Sequence, residues 1–169
     1  MSDKPNHLVR THAFAIEDAF EVRHPLNERS QIFIHRLSDQ AGMQRAHVSL
    51  AIVPPEMESF IPHAHFNQEE WVYILDGKGM ALLGEEEIEV GPGDFLGYPT
   101  DGTVHHLRNV GETNLVYLMG GERMPVEVSR FPTLGRIGVF REGQVHYYPE
   151  EPESSLPVSA WIAHRPSRA

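Results

Sequence analysis

Two histidines separated by one residue, His63 and His65, form the clearest chemical signal in the chain, together with Glu70 and His105. In a β-strand, residues i and i+2 share a face and lie roughly 7 Å apart, so both imidazoles can reach one metal ion. Glu70 follows after a short gap, and a sheet folded back on itself can add His105. Three imidazole nitrogens and one carboxylate suit zinc, iron, manganese, nickel or copper better than calcium or magnesium. The sequence predicts one divalent transition-metal ion per chain, held by these four residues.

The spacing of these residues resembles the two sequence motifs of the cupin superfamily. In the first motif, His63 and His65 are followed by four residues and Glu70, and then by six residues and Gly77. The resemblance covers about residues 37–125 and is to small bacterial single-domain cupins of the cupin 2 type. The second motif is similar in its order of residue types, which are Gly93, Pro99, Gly102, His105 and Asn109.

The chain departs from the cupin motifs at two turns. The family has a glycine before the histidine pair, where this chain has Glu56 and Met57. One extra residue lengthens the turn between Pro99 and Gly102. Both departures alter turn geometry rather than ligand type, so we expect them to change the rim of the pocket and to leave the predicted metal ligands in place.

Turn residues recur between short apolar segments, which is typical of an all-β domain. Closing such strands into a barrel or a double sheet hides their edges. The resemblance implies a double-stranded β-helix, the jelly-roll barrel of the cupins. The predicted strands are Gln31–Leu37, Ala46–Val53, Trp71–Leu75, Met80–Leu83, Ile88–Val90, Phe95–Tyr98, Val104–Leu107 and Leu115–Met119.

The chain is predicted to be one domain with a short extension at each end. The barrel covers residues 31–125, and residues 1–30 form an N-terminal extension with a helical turn within Ala13–Phe20. Residues 126–169 form a C-terminal extension, with a packed hairpin over 126–147 and a flexible tail. Pro149–Pro157 has the Pro, Glu and Ser composition of a linker. Beyond it, Trp161 and Ile162 are a candidate anchoring patch.

Strand alternation predicts which neighbours of the metal ligands share their face. If Glu70 faces the barrel interior, Val72 and Ile74 do so too, while Trp71 and Tyr73 face outward. His105 likewise faces inward, so His106 turns away and is the weaker ligand candidate, as Glu69 is beside Glu70. His35 and His47 are candidates for the pocket mouth, against the alternative of ordinary strand histidines. The predicted pocket residues are Val72, Ile74, Tyr98 and His47.

Composition excludes several classes of function. The 169 residues include 24 acidic and 14 basic side chains, and the net charge of −10 argues against nonspecific nucleic-acid binding. With no cysteine, the chain has no disulfide, thiolate ligand or cysteine nucleophile. No apolar segment approaches the ~20 residues that span a bilayer, and the first residues lack the apolar core of a signal peptide. We expect a soluble cytoplasmic protein without nucleic-acid or membrane partners.

The first functional hypothesis is an enzyme. A divalent ion with one anionic ligand keeps positive charge, so it can polarise a carboxylate, an enediolate, a phenolate or, if it is iron, dioxygen. The substrate would be a small oxygen-bearing molecule. The cupin resemblance implies a dioxygenase, isomerase, decarboxylase or lyase and does not choose among them. No catalytic residue is identified, and Tyr98, His47 and Glu69 are candidates for acid or base.

Two noncatalytic hypotheses remain open at this stage. One is a module that senses or stores a small ligand, although a sensor usually carries a fused effector domain and none is evident in 169 residues. The other is a structural metal ion in a dimeric scaffold. A homodimer is expected because the outward-facing Trp71 and Tyr73 would form an apolar patch, and such patches usually mark interfaces.

Overall fold

Short apolar segments form strands in the computed structural model, which describes residues 7–151, 155 and 157. The eight predicted strands are all present, with small differences at their ends. The strands are β1 (Phe20–Val22), β2 (Ile32–Arg36), β3 (Ala46–Val53), β4 (Ala64–His65), β5 (Glu70–Asp76), β6 (Gly79–Leu83), β7 (Glu86–Val90), β8 (Phe95–Tyr98), β9 (His105–Asn109), β10 (Leu115–Glu122), β11 (Val126–Phe131), β12 (Arg136–Arg141) and β13 (Gln144–Pro149).

The strands form three antiparallel sheets that make two layers. One sheet has six strands in the order β1-β2-β3-β10-β5-β8, the second has the order β13-β12-β11-β4, and the third has the order β7-β6-β9. A bridge between His63 and His105 joins the two smaller sheets. Ile74 and Leu115 of the six-stranded sheet share one buried apolar cluster with Leu107 of the three-stranded sheet. The predicted all-β jelly-roll class is confirmed.

The N-terminal part of the chain contributes to the six-stranded sheet. The predicted helical turn is a short 3-10 turn at Ile16–Asp18, preceded by another at Thr11–Ala13. β1 then pairs with β2, so part of the predicted N-terminal extension belongs to the barrel. A one-turn helix, α1 (Leu37–Gln40), links β2 to β3. Among the described residues, no helix is long and apolar enough to cross a membrane.

The boundary predicted at residue 125 does not follow the sheets. β11 pairs with β4, Ser129 opposite His65 and Arg130 opposite Ala64, so the C-terminal segment completes the sheet that carries one of the histidines. The predicted hairpin corresponds to β12 and β13, and β11 adds a third strand to it. Trp161 and Ile162, with most of the predicted flexible tail, lie outside the described residues.

The turn before the histidine pair contains a residue with a left-handed backbone. Glu56 has a φ of 65°, in the region that glycine enters without strain. The chain has no glycine at 56 or 57, so this turn carries a cost in local backbone strain. In the lengthened second turn, Gly102 has a φ of 84° and supplies the same freedom.

Candidate metal centre

Four side chains from separate segments meet between the two layers. Their potential ligand atoms all lie within 4.8 Å of one another. His65 ends β4, Glu70 begins β5 and His105 begins β9, while His63 is held opposite His105 by two backbone hydrogen bonds. The predicted ligands are thus brought together, because each is placed at a strand end or bridge that faces the same point.

Two of the three imidazoles are oriented by backbone carbonyl oxygens that contact their Nδ1 atoms. His63 Nδ1 lies 2.7 Å from the carbonyl oxygen of Ile61, and His105 Nδ1 lies 3.4 Å from that of Thr103. A carbonyl oxygen only accepts, so each Nδ1 must carry the proton and donate it. In a neutral ring this leaves the Nε2 lone pair free. Both rings therefore offer Nε2 as the donor atom for a metal ion.

A buried nitrogen atom in the cluster has no hydrogen-bond partner. Nε2 of His105 is in this state, whereas Nε2 of His65 faces the Glu70 carboxylate. An unpartnered buried nitrogen is costly and calls for an explanation such as an ion. Burial lowers the pKa of His63 to about 4 and that of His105 to about 3, so both rings are neutral at neutral pH. The neutral, convergent nitrogens of His63 and His105 fit the requirements of a divalent transition metal.

Glu70 is the anionic member of the cluster. Its Oε2 lies 3.1 Å from His65 Nε2, and its Oε1 accepts a hydrogen bond of 3.0 Å from Gln68 Nε2. Burial alone would raise the pKa of Glu70, but the contact with His65 outweighs it and holds that pKa below its usual range. Burial lowers the pKa of His65, whereas Glu70 and Glu127 outweigh it and raise that pKa. The carboxylate is therefore ionised at neutral pH.

Three of the four predicted pocket residues lie beside the cluster. A cavity of about 40 Å³ is lined by Val72, Tyr98 and His47, together with Glu70. The Tyr98 ring stacks on His105 with 3.9 Å between centroids. Ile74 is different, because it is fully buried in the apolar core and does not line the cavity. It lies two residues beyond Val72, where the strand has already passed the site.

The predicted weaker candidates contribute no ligand atom to the cluster, although His106 lines the small cavity beside it. His106 turns away from His105 as alternation requires, yet it is buried rather than exposed, with Nε2 3.5 Å from a carboxylate oxygen of Glu58. His35 is buried against Phe14, with ring centroids 4.4 Å apart. Glu69 is exposed. None of the three belongs to the group of convergent ligand atoms.

A second, larger cleft adjoins the cluster on its polar side. It has a volume of about 370 Å³ and shares His47 with the smaller cavity. His47 Nε2 lies 3.8 Å from Glu70 Oε1, and burial lowers its pKa. Arg36 and Arg123 line the cleft, and both contact Asp39. His47 therefore stands between the metal ligands and a charged cleft open to small polar molecules.

Sequence reasoning missed the side chains behind His65. Glu127 and Ser129 of β11 both contact its Nδ1 atom, each at 3.2 Å. They lie more than 60 residues from His65 along the chain, so no local spacing reveals them. The available signal was alternation, because Glu127, Ser129 and Phe131 are the buried positions of β11. Two polar residues on the inward face of a strand indicate a specific partner.

The missing side chain at Gly121 of β10 leaves room for Glu70 and His47. A Cβ atom at this position would lie 2.4 Å from the Glu69 carbonyl oxygen and 2.9 Å from His47 Nε2. We expect Gly121→Ala to displace Glu70 and His47, to lower stability by about 1–3 kcal/mol and to weaken metal binding. Thermal unfolding and metal titration measure both effects.

Gly91→Ala is the matched control for this substitution. Its Cβ would find its nearest neighbour, the Gly77 carbonyl oxygen, at 3.9 Å, which is ordinary contact. Its stability should stay within about 1 kcal/mol of the parent chain. Equal melting temperatures and metal affinities for the two variants would contradict a steric role of Gly121.

The fold and the site together define a jelly-roll protein with a candidate metal centre of three histidines and one glutamate. Residues 49–121 match the Cupin_2 family model, which describes the cupin domain. This segment of the chain is therefore similar to the cupin domain. The match contains all four candidate ligands and ends before β11, so Glu127 lies outside it.

Two solved structures are similar over most of this chain. A protein from Acidithiobacillus ferrooxidans, provisionally named a sugar phosphate isomerase, is 27% identical with a TM-score of 0.79, covering 83% of this chain and 90% of that one. A cupin from Silicibacter pomeroyi, named a sugar phosphate isomerase, is 20% identical with a TM-score of 0.73, covering 86% and 96%. The second likeness shows the fold alone.

A curated relative matches the central part of the chain. It is an uncharacterised protein of Methanocaldococcus jannaschii, 38% identical over 68 residues. The matched segment is 40% of this chain and 53% of the relative, so the match spans about half of the relative's length.

Proposed function

We propose that the chain is a metal-dependent enzyme for a small oxygen-bearing substrate, and that it isomerises a phosphorylated sugar. The observation that carries the proposal is the convergence of three imidazoles and one carboxylate, within 4.8 Å, beside a cavity. The provisional name of the similar Acidithiobacillus ferrooxidans protein supports isomerisation over the other three reaction classes. The metal identity stays open among zinc, iron, manganese, nickel and copper.

The proposed reaction needs a base and a hydrogen-bond donor from the chain itself. When bound, a divalent ion supplies Lewis acidity to a carbonyl or enediolate oxygen. His47 is the proposed base, because it lies between the small cavity and the cleft and burial favours its neutral form. Tyr98 is the proposed hydrogen-bond donor to a substrate oxygen, since burial raises the pKa of its hydroxyl and keeps the proton on it.

The charged cleft supports a phosphorylated substrate. Arg36 and Arg123 line it, and guanidinium groups bind phosphate through paired hydrogen bonds. Both arginines contact Asp39 in the free chain. A phosphate bound there would displace the Asp39 carboxylate from the arginines or share the arginines with it. A substrate held in this cleft would present its carbon skeleton to His47.

The test is proton exchange at carbon in heavy water. The metal-loaded chain is incubated with aldose and ketose phosphates, and proton NMR follows the loss of the C2 or C1 proton and the appearance of the isomer. We expect exchange and conversion with at least one sugar phosphate, and neither with a His47→Gln variant. Full metal loading with no exchange for any of the sugars would reject the isomerase proposal.

A structural metal ion is the second candidate, and one observation favours it. The cavity of about 40 Å³ beside the ligands holds only one or a few water molecules, because each occupies about 30 Å³ in the liquid. A closed site filled by side chains is typical of structural ions. In that case the metal-loaded chain would bind none of the sugar phosphates, which isothermal titration calorimetry can measure.

We also propose that the chain forms a homodimer through the outer face of β5 and β8. Tyr73 and Phe95 are register partners there, 40% and 63% exposed, and Leu75 is 42% exposed. Light scattering should give about twice the chain mass of 19.1 kDa, because burying this apolar face is favourable. Phe95→Glu should weaken the dimer, whereas Ile88→Glu, at a 41% exposed position of the other layer, should not. A monomer at micromolar concentration would contradict this.

The partner is proposed to be a small molecule rather than a nucleic acid. The net charge of −10 supports this, because it repels phosphate backbones. The cytoplasmic location and the lack of a membrane partner stay predictions from the sequence.

A further inference from the structure

A buried carboxylate from β11 lies directly behind one of the candidate metal ligands. Glu127 is 5% exposed, and its Oε1 lies 3.2 Å from His65 Nδ1. The same oxygen accepts a hydrogen bond of 3.2 Å from the backbone N–H of Phe66, which fixes its position. Neither of the cupin motifs includes this residue.

Glu127 is placed to act on His65 and not to bind the ion itself. The Nε2 edge of the His65 ring faces Glu70 at 3.1 Å, whereas the Nδ1 edge faces Glu127. The two carboxylates thus lie on opposite edges of one imidazole. Glu127 is accordingly absent from the group of convergent ligand atoms.

The burial of Glu127 leaves part of its carboxylate unsatisfied. Its second oxygen, Oε2, is buried without a hydrogen-bond partner. An unsatisfied buried carboxylate oxygen costs free energy that an apolar side chain of similar size would avoid. A buried carboxylate with one unsatisfied oxygen is best explained by the contact of its other oxygen with His65 Nδ1.

We propose that Glu127 is the positioning residue of the metal centre. Its carboxylate accepts the Nδ1 proton of His65, which fixes the ring's orientation and leaves the Nε2 lone pair directed at the ion. The corresponding partners of His63 and His105 are neutral carbonyl oxygens, of Ile61 and Thr103. A negative partner makes the imidazole a stronger ligand than a neutral one does. Ser129 is a second polar neighbour of the ring, because its Oγ lies 3.2 Å from the same Nδ1.

The proposal makes the C-terminal strands part of the metal centre. β11 reaches His65 because it pairs with β4, and β12 and β13 hold β11 in turn. The cupin family match ends at residue 121, before this strand. The inference rests on the proposed metal centre, and the experiment separates the two.

The test compares three single variants in the full chain. Glu127→Gln removes the charge and keeps the shape, and Glu127→Ala removes the hydrogen bond as well. Glu150→Gln is the matched control. Glu150 pairs with Arg130, which lies on β11 as Glu127 does, and Glu150 has no contact with His65. Zinc affinity is measured by chelator competition. We expect a loss of roughly 10- to 100-fold for Glu127→Ala, an intermediate loss for Glu127→Gln and little change for Glu150→Gln.

Proton NMR of the zinc-loaded chain separates the loss of the Glu127 contact from general loosening of the sheet, because loosening would also speed exchange at the Nδ1 of His63, which contacts Ile61 and not Glu127. The Nδ1 proton of His65 should exchange slowly with water in the parent chain and in Glu150→Gln, and rapidly in Glu127→Ala. Should Glu127→Ala fail to fold, the isosteric Glu127→Gln carries the comparison.

The outcomes separate this inference from the proposal on which it rests. A parent chain that binds no zinc overturns both. Zinc binding by the parent chain, with affinities for Glu127→Gln and Glu127→Ala equal to that of Glu150→Gln, overturns the role of Glu127 alone.

Discussion

Replacing His105 by alanine should abolish stoichiometric metal binding. The chain should carry about one ion when it is intact, and His105→Ala should lower the affinity by more than the roughly 100-fold that changes behind a ligand cause. The physical reason is that Nε2 of His105 is buried, neutral and unpartnered, and His105 supplies one of the four convergent ligand atoms. The same loss is expected for alanine at His63, His65 or Glu70. Metal content after dialysis against a chelator measures it.

Two other histidines provide controls for this result. His106→Ala removes a buried imidazole from the adjacent position, but its Nε2 faces Glu58 and not the ligand cluster. His35→Ala removes a buried imidazole that stacks on Phe14. Both variants should keep about one ion per chain, even if they melt at lower temperature. Full metal content in His105→Ala, or loss of metal in both controls, would contradict the assignment.

The ligand set was predictable because its information is local in sequence. His63 and His65 share a strand face by alternation, and Glu70 and His105 follow at spacings that match the two motifs. The strands were predictable for the same reason, since alternation and turn residues act over a few positions. The altered turn, with Glu56 at a positive φ, still leaves the four ligands close together.

The parts that sequence reasoning missed depend on contacts between distant segments. Strand alternation could not tell where the pocket ends, so Ile74 was expected to line it although it lies in the core. Alternation predicted that His106 turns away from the metal ligands. It could not predict that the ring is buried, because Glu58 from another segment covers it. The role of Glu127 required the pairing of β11 with β4, which no local pattern encodes.

The metal-free chain should lose stability as the pH falls from neutrality toward 4. Burial lowers the pKa of His63 to about 4 and that of His105 to about 3, while both rings titrate near ~6.5 in the unfolded chain. Between these values the unfolded chain binds protons that the folded chain does not, so acidification favours unfolding. Each net proton lowers the free energy of unfolding by about 1.4 kcal/mol per pH unit. His65 opposes this trend, because its pKa is raised in the folded chain.

Bound metal should raise the melting temperature at neutral pH, and this gain should disappear on acidification. An ion that binds only the folded chain stabilises it by mass action, and protons compete with it for the same imidazole nitrogens. Because His63 and His105 resist protonation, we expect release well below the unperturbed value of ~6.5. Melting curves with and without chelator, from neutral pH to about pH 4, measure both effects. A His63→Gln, His105→Gln double variant should show neither the metal gain nor the full pH dependence. Equal melting temperatures with and without chelator at neutral pH would mean that the four residues do not share a tightly bound ion.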